Sequence, residues 1–168
     1  MRINHMKKGL QELVSDLPVL KTMVEIGSYA GESTEIFAKS GKFHLIYAVD
    51  PWENGYDSQS KASELVPMQD VEKRFDQVKE RYPIICKLKT TSKKAASFCP
   101  SVDLVYIDGD HRYPAVVQDI LLWRSKTRFL CLHDYQTNHP GVFQAVNELL
   151  GKPLKVYPDH SCLFEIWQ

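Results

Sequence analysis

Short apolar runs alternate with amphipathic stretches along most of the chain. Five runs rich in β-branched and other apolar residues predict strands, at Thr22–Ile26, Leu45–Val49, Ile84–Leu88, Leu104–Ile107 and Phe129–Leu132. These runs are continuous rather than interrupted by polar residues, which is typical of strands covered by helices on both faces. Their alternation with helical stretches predicts an α/β fold with a doubly wound, mostly parallel sheet.

Between these runs, apolar residues recur at the spacing of one helix face. Val71, Phe75 and Val78, for example, fall on the same side of a helix. The predicted helices are Leu10–Val14, Ser33–Ser40, Val71–Arg81, Pro114–Trp123 and Val142–Leu150.

The pattern changes at two other places. Leu154–Tyr157 and Leu163–Trp167 are short apolar runs with Pro158-Asp159-His160-Ser161 between them, which predicts a terminal hairpin. The segment Asn54–Gln69 is polar, contains glycine and proline, and has little periodicity. We expect it to form a mobile loop or lid.

Length and composition narrow the class of protein. The 168 residues fit one domain, 1–168, and 21 basic residues balance 21 acidic ones, so overall charge indicates no nucleic-acid partner. No apolar run approaches the about 20 residues of a membrane span, and the N-terminus lacks a secretory pattern, so we expect a cytoplasmic protein. The four cysteines match no metal or redox spacing and are expected to be reduced and mostly buried.

A glycine turn follows the first predicted strand. Gly27 allows a tight bend and Gly31 a close approach of ligand or helix, while Asp50 ends the next strand, where a carboxylate accepts hydrogen bonds from ribose hydroxyls. The spacing G-x-x-x-G is not the dinucleotide fingerprint. Glu25 before the turn would repel a pyrophosphate and attract an ammonium group, directly or through water. The turn therefore favours S-adenosylmethionine over NAD, with a purely structural turn as the alternative.

Acids and imidazoles follow the next two predicted strands. Asp108 and His111 come after the fourth strand, and His133 and Asp134 come after the fifth. Because carboxyl ends of neighbouring parallel strands meet at one edge, we expect these groups to converge. Asp108, His133 and Asp134 are candidate ligands for one divalent cation, Mg²⁺ first, with Mn²⁺ or Fe²⁺ also compatible with an imidazole. A metal-free hydrogen-bonded pocket is the alternative, and Asp110 is expected to cap the following helix.

The segments VEIGSYAGEST, AVDPW, VYIDGDHRYPAVVQDI and LHDY together resemble metal-dependent class I S-adenosylmethionine methyltransferases. Within that class they are most similar to macrolide-sugar O-methyltransferases and their cephalosporin-hydroxylase-like relatives, with catechol O-methyltransferases further away. The resemblance implies a Rossmann-like sheet of seven strands in the order 3-2-1-4-5-7-6, ending in an antiparallel hairpin.

The resemblance also implies roles for individual residues. Asp108, His133 and Asp134 would hold the metal, although His133 stands where a carboxylate or amide is commoner. His111 would be the general base, because an imidazole with a pKa near ~6.5 accepts a hydroxyl proton at neutral pH. Further cofactor contacts are expected from a small set of hydroxyl residues: Ser28, Thr91 and Ser92.

These observations predict O-methylation of a small hydroxylated acceptor, such as a sugar or catechol. A non-catalytic cofactor-binding or partner-binding module and an NAD-dependent oxidoreductase are the alternatives, and a homo-oligomer is left open. Nucleic acid is disfavoured because Asp-Gly-Asp-His replaces the motif of base methylation. The lysines of Pro83–Pro100 indicate a solvated helix face. Aromatic residues that we consider for the substrate pocket are Tyr29, Trp52, Tyr56, Tyr113 and Tyr135, and histidines expected in surface or structural roles are His5, His44, His139 and His160.

Overall fold

A computed structural model describes residues 4–56 and 66–166. The strands within these ranges are β1 (Thr22–Ile26), β2 (Leu45–Asp50), β3 (Ile85–Lys89), β4 (Val102–Ile107), β5 (Thr127–Leu132), β6 (Lys155–Val156) and β7 (Cys162–Glu165). They form one sheet in the order β3-β2-β1-β4-β5-β7-β6. Strands β1 to β5 are parallel, and β7 runs antiparallel to β5 and β6. The predicted Rossmann-like fold, strand order and terminal hairpin are confirmed.

The register brings the ends of the central strands level. Ile26 of β1 pairs with Val49 of β2 and with Ile107 of β4, and Ile107 pairs in turn with Leu132 of β5. Backbone hydrogen bonds continue past the strands, since the amide of Asp108 donates to the Ile26 carbonyl. The residues that follow these strands therefore lie together at one edge.

Helices fill the connections, with α1 (Asn4–Asp16), α2 (Glu32–Lys39), α3 (Met68–Arg81), α4 (Ser92–Phe98), α5 (Tyr113–Trp123) and α6 (Pro140–Leu149), and a 3₁₀ turn at Arg124–Lys126. All five predicted helices are present. Apolar periodicity did not give the bounds of α4, because its seven residues are too few to show a periodic apolar face.

Alternate residues of the central strands face two different helix layers. Met23 of β1 packs in a cluster with Leu13 of α1 and Phe37 of α2, whereas its neighbour Val24 packs with Trp123 of α5 and other residues of α4 to α6. All five side chains are fully buried. Burial on both faces explains why the strands read as continuous apolar runs.

The segment predicted as a lid is only partly described. Asn54–Tyr56 and Val66–Pro67 are irregular, residues 57–65 lie outside the described ranges, and so does Trp167 of the predicted last strand. Met68 and Gln69 do not belong to a loop, because they begin α3 and Met68 is buried against Trp52 and Phe75. That end of the prediction is wrong.

The lysine-rich stretch does not form a single solvated helix face. Lys87 lies on β3, where its ammonium group contacts Glu72 and Asp76 of α3 and sits 4.8 Å above the Trp52 ring. Lys89 of the same strand contacts Glu72. The other two lysines, Lys93 and Lys94, are exposed on α4, so the prediction of a solvated helix face is correct for them.

The structure also bears on the predictions made for the cysteines and for membrane-spanning segments. The four cysteines are free thiols, and Cys86 is the one that is not fully buried. Within the described ranges, every helix falls short of the length and apolar content required to cross a membrane.

Candidate active site at the carboxyl edge of the sheet

Gly27 follows β1 and lies between the ends of β2 and β4. Its φ is 87°, and its amide donates a 2.9 Å hydrogen bond to the Val49 carbonyl. A β-carbon at this position would lie 2.1 Å from the carbonyl oxygen of Asp108. The position therefore requires glycine both for its backbone conformation and for space.

Gly31 serves a different purpose from the one expected of a ligand-binding glycine. It is the N-cap of α2 with φ 84°, and a β-carbon there would come within 3.2 Å of Phe75 and Val78 on α3. It lies off the wall of the cavity described below. Gly31 was predicted to allow the close approach of either a ligand or a helix. The structure shows the approach of a helix, because α3 packs against the start of α2 at this glycine.

The carboxylate of Asp50 ties the ends of β1 and β2 together. It accepts hydrogen bonds from the amides of Trp52, at 2.7 Å, and Tyr29, at 3.0 Å. Both donors have positive φ angles, 44° and 46°, which are uncommon for residues with side chains. Burial raises the pKa of Asp50, and the two amide bonds oppose that shift. Asp50 therefore maintains an unusual backbone conformation at the site.

Glu25 lies beneath the turn rather than on the cavity wall. Its side chain is completely buried and accepts hydrogen bonds from the hydroxyls of Ser28, at 2.9 Å, and Thr34. A direct contact with a cofactor ammonium group is therefore not what the structure shows. Because Thr34 belongs to α2, Glu25 links the turn to the helix that follows it.

A cavity of about 320 Å³ opens at this edge. Six carboxylate residues line it: Glu32, Asp50, Glu53, Asp108, Asp110 and Asp119. Among the described residues on its wall there is no lysine or arginine. Burial raises the pKa of the Tyr56 hydroxyl, and Asp119, Asp110 and Asp50 raise it further. The cavity is therefore electrostatically suited to a cationic ligand.

Six of the predicted site residues line this cavity, namely Gly27, Ser28, Asp50, Ser92, Asp108 and His111. Thr91 does not, because its hydroxyl accepts a hydrogen bond from the Lys94 amide and caps α4. Thr90 lines the cavity in its place. The one-residue difference arises because Thr91 is the N-cap of α4, which begins at Ser92, so its hydroxyl is used by the helix.

The predicted aromatic wall is only partly present. Tyr29 and Tyr56 line the cavity. Trp52 is instead buried against Phe75, with ring centroids 4.8 Å apart. The hydroxyls of Tyr113 and Tyr135 bond to side chains of α6 and lie away from the cavity.

Acids and imidazoles from β4 and β5 converge as expected. The Nδ1 atom of His133 lies 3.3 Å from Asp108 Oδ1 and 3.2 Å from Asp134 Oδ2. The Nε2 atom of His111 lies 2.9 Å from Asp134 Oδ2 and 3.8 Å from Asp108 Oδ1. Asp134 has φ 58°, a conformation found more often for aspartate than for most residues.

His139 is a member of this cluster that the sequence analysis assigned to a surface or structural role. It is the N-cap of α6, its Nε2 atom lies 3.6 Å from Asp134 Oδ1, and its ring centroid is 5.0 Å from that of His111. Pro140 was the sequence signal that could have located His139. Proline is common at the first position of a helix, so the residue before it is expected at the helix start, which here lies at the same edge of the sheet. That signal did not indicate the direction of the imidazole.

The carboxylates strongly affect protonation of the two buried imidazoles. Burial alone would lower the pKa values of His111 and His133, but close contacts with Asp108 and Asp134 outweigh it and raise both to about 10. The same imidazoles hold the pKa of Asp134 well below its usual range, against the effect of burial. In this arrangement His111 retains its proton at neutral pH, unlike the free imidazole on which its prediction as a base rested.

The cluster fits a divalent cation. The ligand atoms of Asp108, His133 and Asp134 lie within 4.8 Å of one another, and so do those of His111, Asp134 and His139. Both ring nitrogens of His133 are buried without an aligned hydrogen bond to any residue in the described ranges. Oxygen donors suit Mg²⁺, and the imidazoles extend the choice to Mn²⁺ or Fe²⁺.

Asp110 does not cap the following helix. Its carboxylate accepts a 2.9 Å hydrogen bond from the Arg112 amide and pairs with the Arg112 guanidinium group. Arg112 itself is the N-cap of α5, with no side-chain cap. Asp110 therefore stabilises the loop between β4 and α5.

Comparison with known proteins identifies a family. The profile of Methyltransf_24, described as a methyltransferase domain, matches residues 24–135. An uncharacterized protein of Acanthamoeba polyphaga mimivirus is 26% identical over 142 residues, which are 77% of this chain and 59% of the viral protein. The chain thus spans less than two thirds of the length of that relative.

Solved structures show the same fold at low sequence identity. The O-methyltransferase TomG from Streptomyces achromogenes, in complex with S-adenosylmethionine, is 12% identical with a TM-score of 0.65, covering 99% of this chain and 82% of TomG. An rRNA methylase from Streptococcus thermophilus is 13% identical with a TM-score of 0.64, covering 100% and 99%. The N-methyltransferase NodS from Bradyrhizobium japonicum is 15% identical with a TM-score of 0.59, covering 97% and 96%. The family profile matches two thirds of the chain, from β1 through Asp134, and this protein belongs to the Methyltransf_24 family of methyltransferase domains.

Proposed function

We propose that this protein transfers a methyl group from S-adenosylmethionine to a hydroxyl of a small acceptor, assisted by a divalent cation. The observation that carries the proposal is the cavity beside the cluster of Asp108, His111, His133 and Asp134. The described residues of its wall include six carboxylates and neither lysine nor arginine. A cationic sulfonium cofactor matches the charge of this wall, whereas the pyrophosphate of NAD does not.

The chain's own residues supply the cofactor site. S-adenosylmethionine, when bound, provides a methyl group on a positively charged sulfur. Asp50 is placed to accept hydrogen bonds from ribose hydroxyls, because each of its oxygens keeps a lone pair beyond the amide bond it already accepts. Gly27 has no side chain to obstruct a ligand at the turn, and Asp108 faces the same space from β4.

The cation would be held by Asp108, His133 and Asp134. Bound there, it would lower the pKa of an acceptor hydroxyl and offset the negative charge of the two carboxylates. His111 lies beside both of them and would hold its proton while the cluster carries no cation. A bound cation would lower the pKa of His111 by offsetting these carboxylates, and the imidazole would then be free to take the hydroxyl proton. Orientation of the acceptor oxygen toward the methyl carbon would provide the rest of the rate enhancement.

Cofactor affinity tests the proposal directly. Titration calorimetry with S-adenosylmethionine and S-adenosylhomocysteine, with and without Mg²⁺, is expected to show micromolar dissociation constants. This affinity corresponds to a binding free energy of about −8 kcal/mol. Asp50→Ala is expected to weaken binding of both ligands by about 100-fold, because it removes the ribose acceptor and releases the amides of Tyr29 and Trp52 that hold the turn in shape.

Glu53→Gln is the matched control, since it neutralises another carboxylate of the same cavity wall without disturbing the Asp50 hydrogen bonds. It is expected to change affinity by less than about 5-fold, as for a partly exposed charge. If the wild-type protein binds neither ligand, the methyltransferase proposal is overturned, and binding of NADH would then favour an oxidoreductase.

The acceptor requires a separate assay. The similar folds include O-, N- and RNA-directed enzymes, so fold does not select the acceptor. Transfer of isotopically labelled methyl groups to hydroxylated sugars and catechols is expected, with loss of transfer in His111→Ala. Cofactor binding without transfer to any hydroxylated compound would instead favour a non-catalytic binding module.

A further inference from the structure

Asp119 is a buried carboxylate that faces the cavity and has no part in the mechanism above. It lies on α5 with only 6% of its surface exposed, and it lines the cavity together with Ala115 and Gln118 of the same helix. An ionisable group is seldom buried to this extent without a partner or a function.

A directed chain of hydrogen bonds orients this carboxylate. The indole Nε1 of Trp123, which can only donate, donates to the Ser92 hydroxyl oxygen at 2.9 Å. The Ser92 hydroxyl hydrogen is therefore directed to Oδ1 of Asp119. The hydrogen bond found between Asp119 and the described residues engages Oδ1, and Asp119 lines the cavity, so Oδ2 is the oxygen left for a ligand. Asp119 thus presents an acceptor to the cavity.

The ionisation of Asp119 agrees with this role. Burial raises its pKa to about 6, the Ser92 hydroxyl opposes the shift, and the charge of Asp110 adds to it. At neutral pH the group remains predominantly an ionised acceptor. A ligand that occupies this part of the cavity should therefore bring a hydrogen-bond donor.

The surroundings indicate which part of the cofactor this is. Apolar surface for a flat ring is available from Ile26, Val49, Pro51, Met68 and Ala115. The segment that follows β3 offers only the hydroxyls of Thr90, Thr91 and Ser92, and the hydroxyls of Thr91 and Ser92 are already engaged. Asp50 and Asp119 both line this cavity. A ligand whose ribose meets Asp50 can direct its purine toward Asp119.

We infer that Asp119 recognises the exocyclic amine of adenine, with Ser92 and Trp123 holding its carboxylate in place. This inference rests on the proposed binding of S-adenosylmethionine and assigns its base specificity to one residue. The amine donates a hydrogen bond to Oδ2. A hypoxanthine base presents a carbonyl oxygen at that point, so two acceptors would face each other.

The test compares S-adenosylhomocysteine with S-inosylhomocysteine, in which a carbonyl replaces the amine. We expect the wild-type protein to bind the adenine compound about 10- to 100-fold more tightly, the range for an unpaired buried polar group. Asp119→Asn retains an acceptor for Ser92 and can turn its amide donor toward the ligand. In this variant the preference is expected to fall below about 3-fold or to reverse.

Asp110→Asn is the matched control, because it neutralises a carboxylate on the same wall that is already paired with Arg112. It should leave the base preference unchanged. If Asp119→Asn does not fold, Asp119→Ser keeps an acceptor for Ser92 without the carboxylate and should also lose the preference. A wild-type preference that persists in both Asp119 variants, or that is lost in Asp110→Asn instead, overturns the inference while leaving cofactor binding intact. Absence of binding to S-adenosylhomocysteine by the wild type would overturn the proposed function and this inference together.

Discussion

Gly27→Ala is expected to destabilise the protein by more than about 3 kcal/mol, a large part of the stability of a domain this size. Two costs add at this position. The φ of 87° is unfavourable for alanine by about 1–2 kcal/mol. In addition, the new β-carbon would lie 2.1 Å from the Asp108 carbonyl oxygen, and neither atom can move without separating β1 from β4. Urea unfolding followed by circular dichroism measures the change.

Gly41→Ala separates the two costs. Gly41 also has a positive φ, 69°, but no atom lies within 4 Å of the position its β-carbon would take. The Gly41→Ala variant should lose only about 1 kcal/mol of its free energy of unfolding, which is the strain expected of alanine at positive φ. It should bind S-adenosylhomocysteine like the wild type. Equal destabilisation by the two substitutions would show that the close approach at Gly27 contributes nothing.

Asp134→Asn is expected to reduce affinity for Mn²⁺ by about 100-fold or more, beyond the 10–100-fold typical of residues that only orient a ligand. Asp134 is the residue shared by both groups of candidate ligands, so its loss affects a cation held by either. Asparagine tolerates the φ of 58° found at this position, but loss of the ion pairs with His111 and His133 should lower stability, so circular dichroism checks that the variant is folded. Electron paramagnetic resonance of free Mn²⁺ measures the binding.

Two histidine variants then distinguish the groups. A cation held by Asp108, His133 and Asp134 predicts a large loss of Mn²⁺ affinity in His133→Asn and a small one in His139→Asn. The reverse order would place the cation with His111, Asp134 and His139 instead. Asp110→Asn serves as the control for loss of a nearby charge. Wild-type affinity in Asp134→Asn would remove the cation from the proposed mechanism.

The sequence was most informative where chemistry follows directly from chain direction. Asp108 and Asp134 could be placed together because each follows a predicted parallel strand, and the carboxyl ends of such strands share an edge. Gly27 and Asp50 could be placed at the cofactor turn for the same reason. The bounds of helix α4 and the capping role of Thr91 were missed because seven residues carry too little periodic signal.

Contacts between side chains from separate elements were harder to predict. Lys87 was expected on a solvated helix, yet it lies on β3 against acids of α3. Ser92 was expected to contact the cofactor, and the structure shows its hydroxyl bonded to Asp119, 27 residues away. His139 had no partner at an informative spacing, because its neighbours Asp134 and His111 reach it from different strands.

Local pattern thus determined the strands, their order of appearance, the glycine turn and the edge where acids and imidazoles gather, since these depend on backbone periodicity and chain direction. Only the tertiary structure decided that Glu25 lies beneath the turn, that His139 joins the cluster and that Asp119 presents an oxygen to the cavity. Those features depend on which side chains from distant segments meet during packing. Sequence spacing alone does not encode such meetings, because the direction of a side chain is set by its neighbours in space.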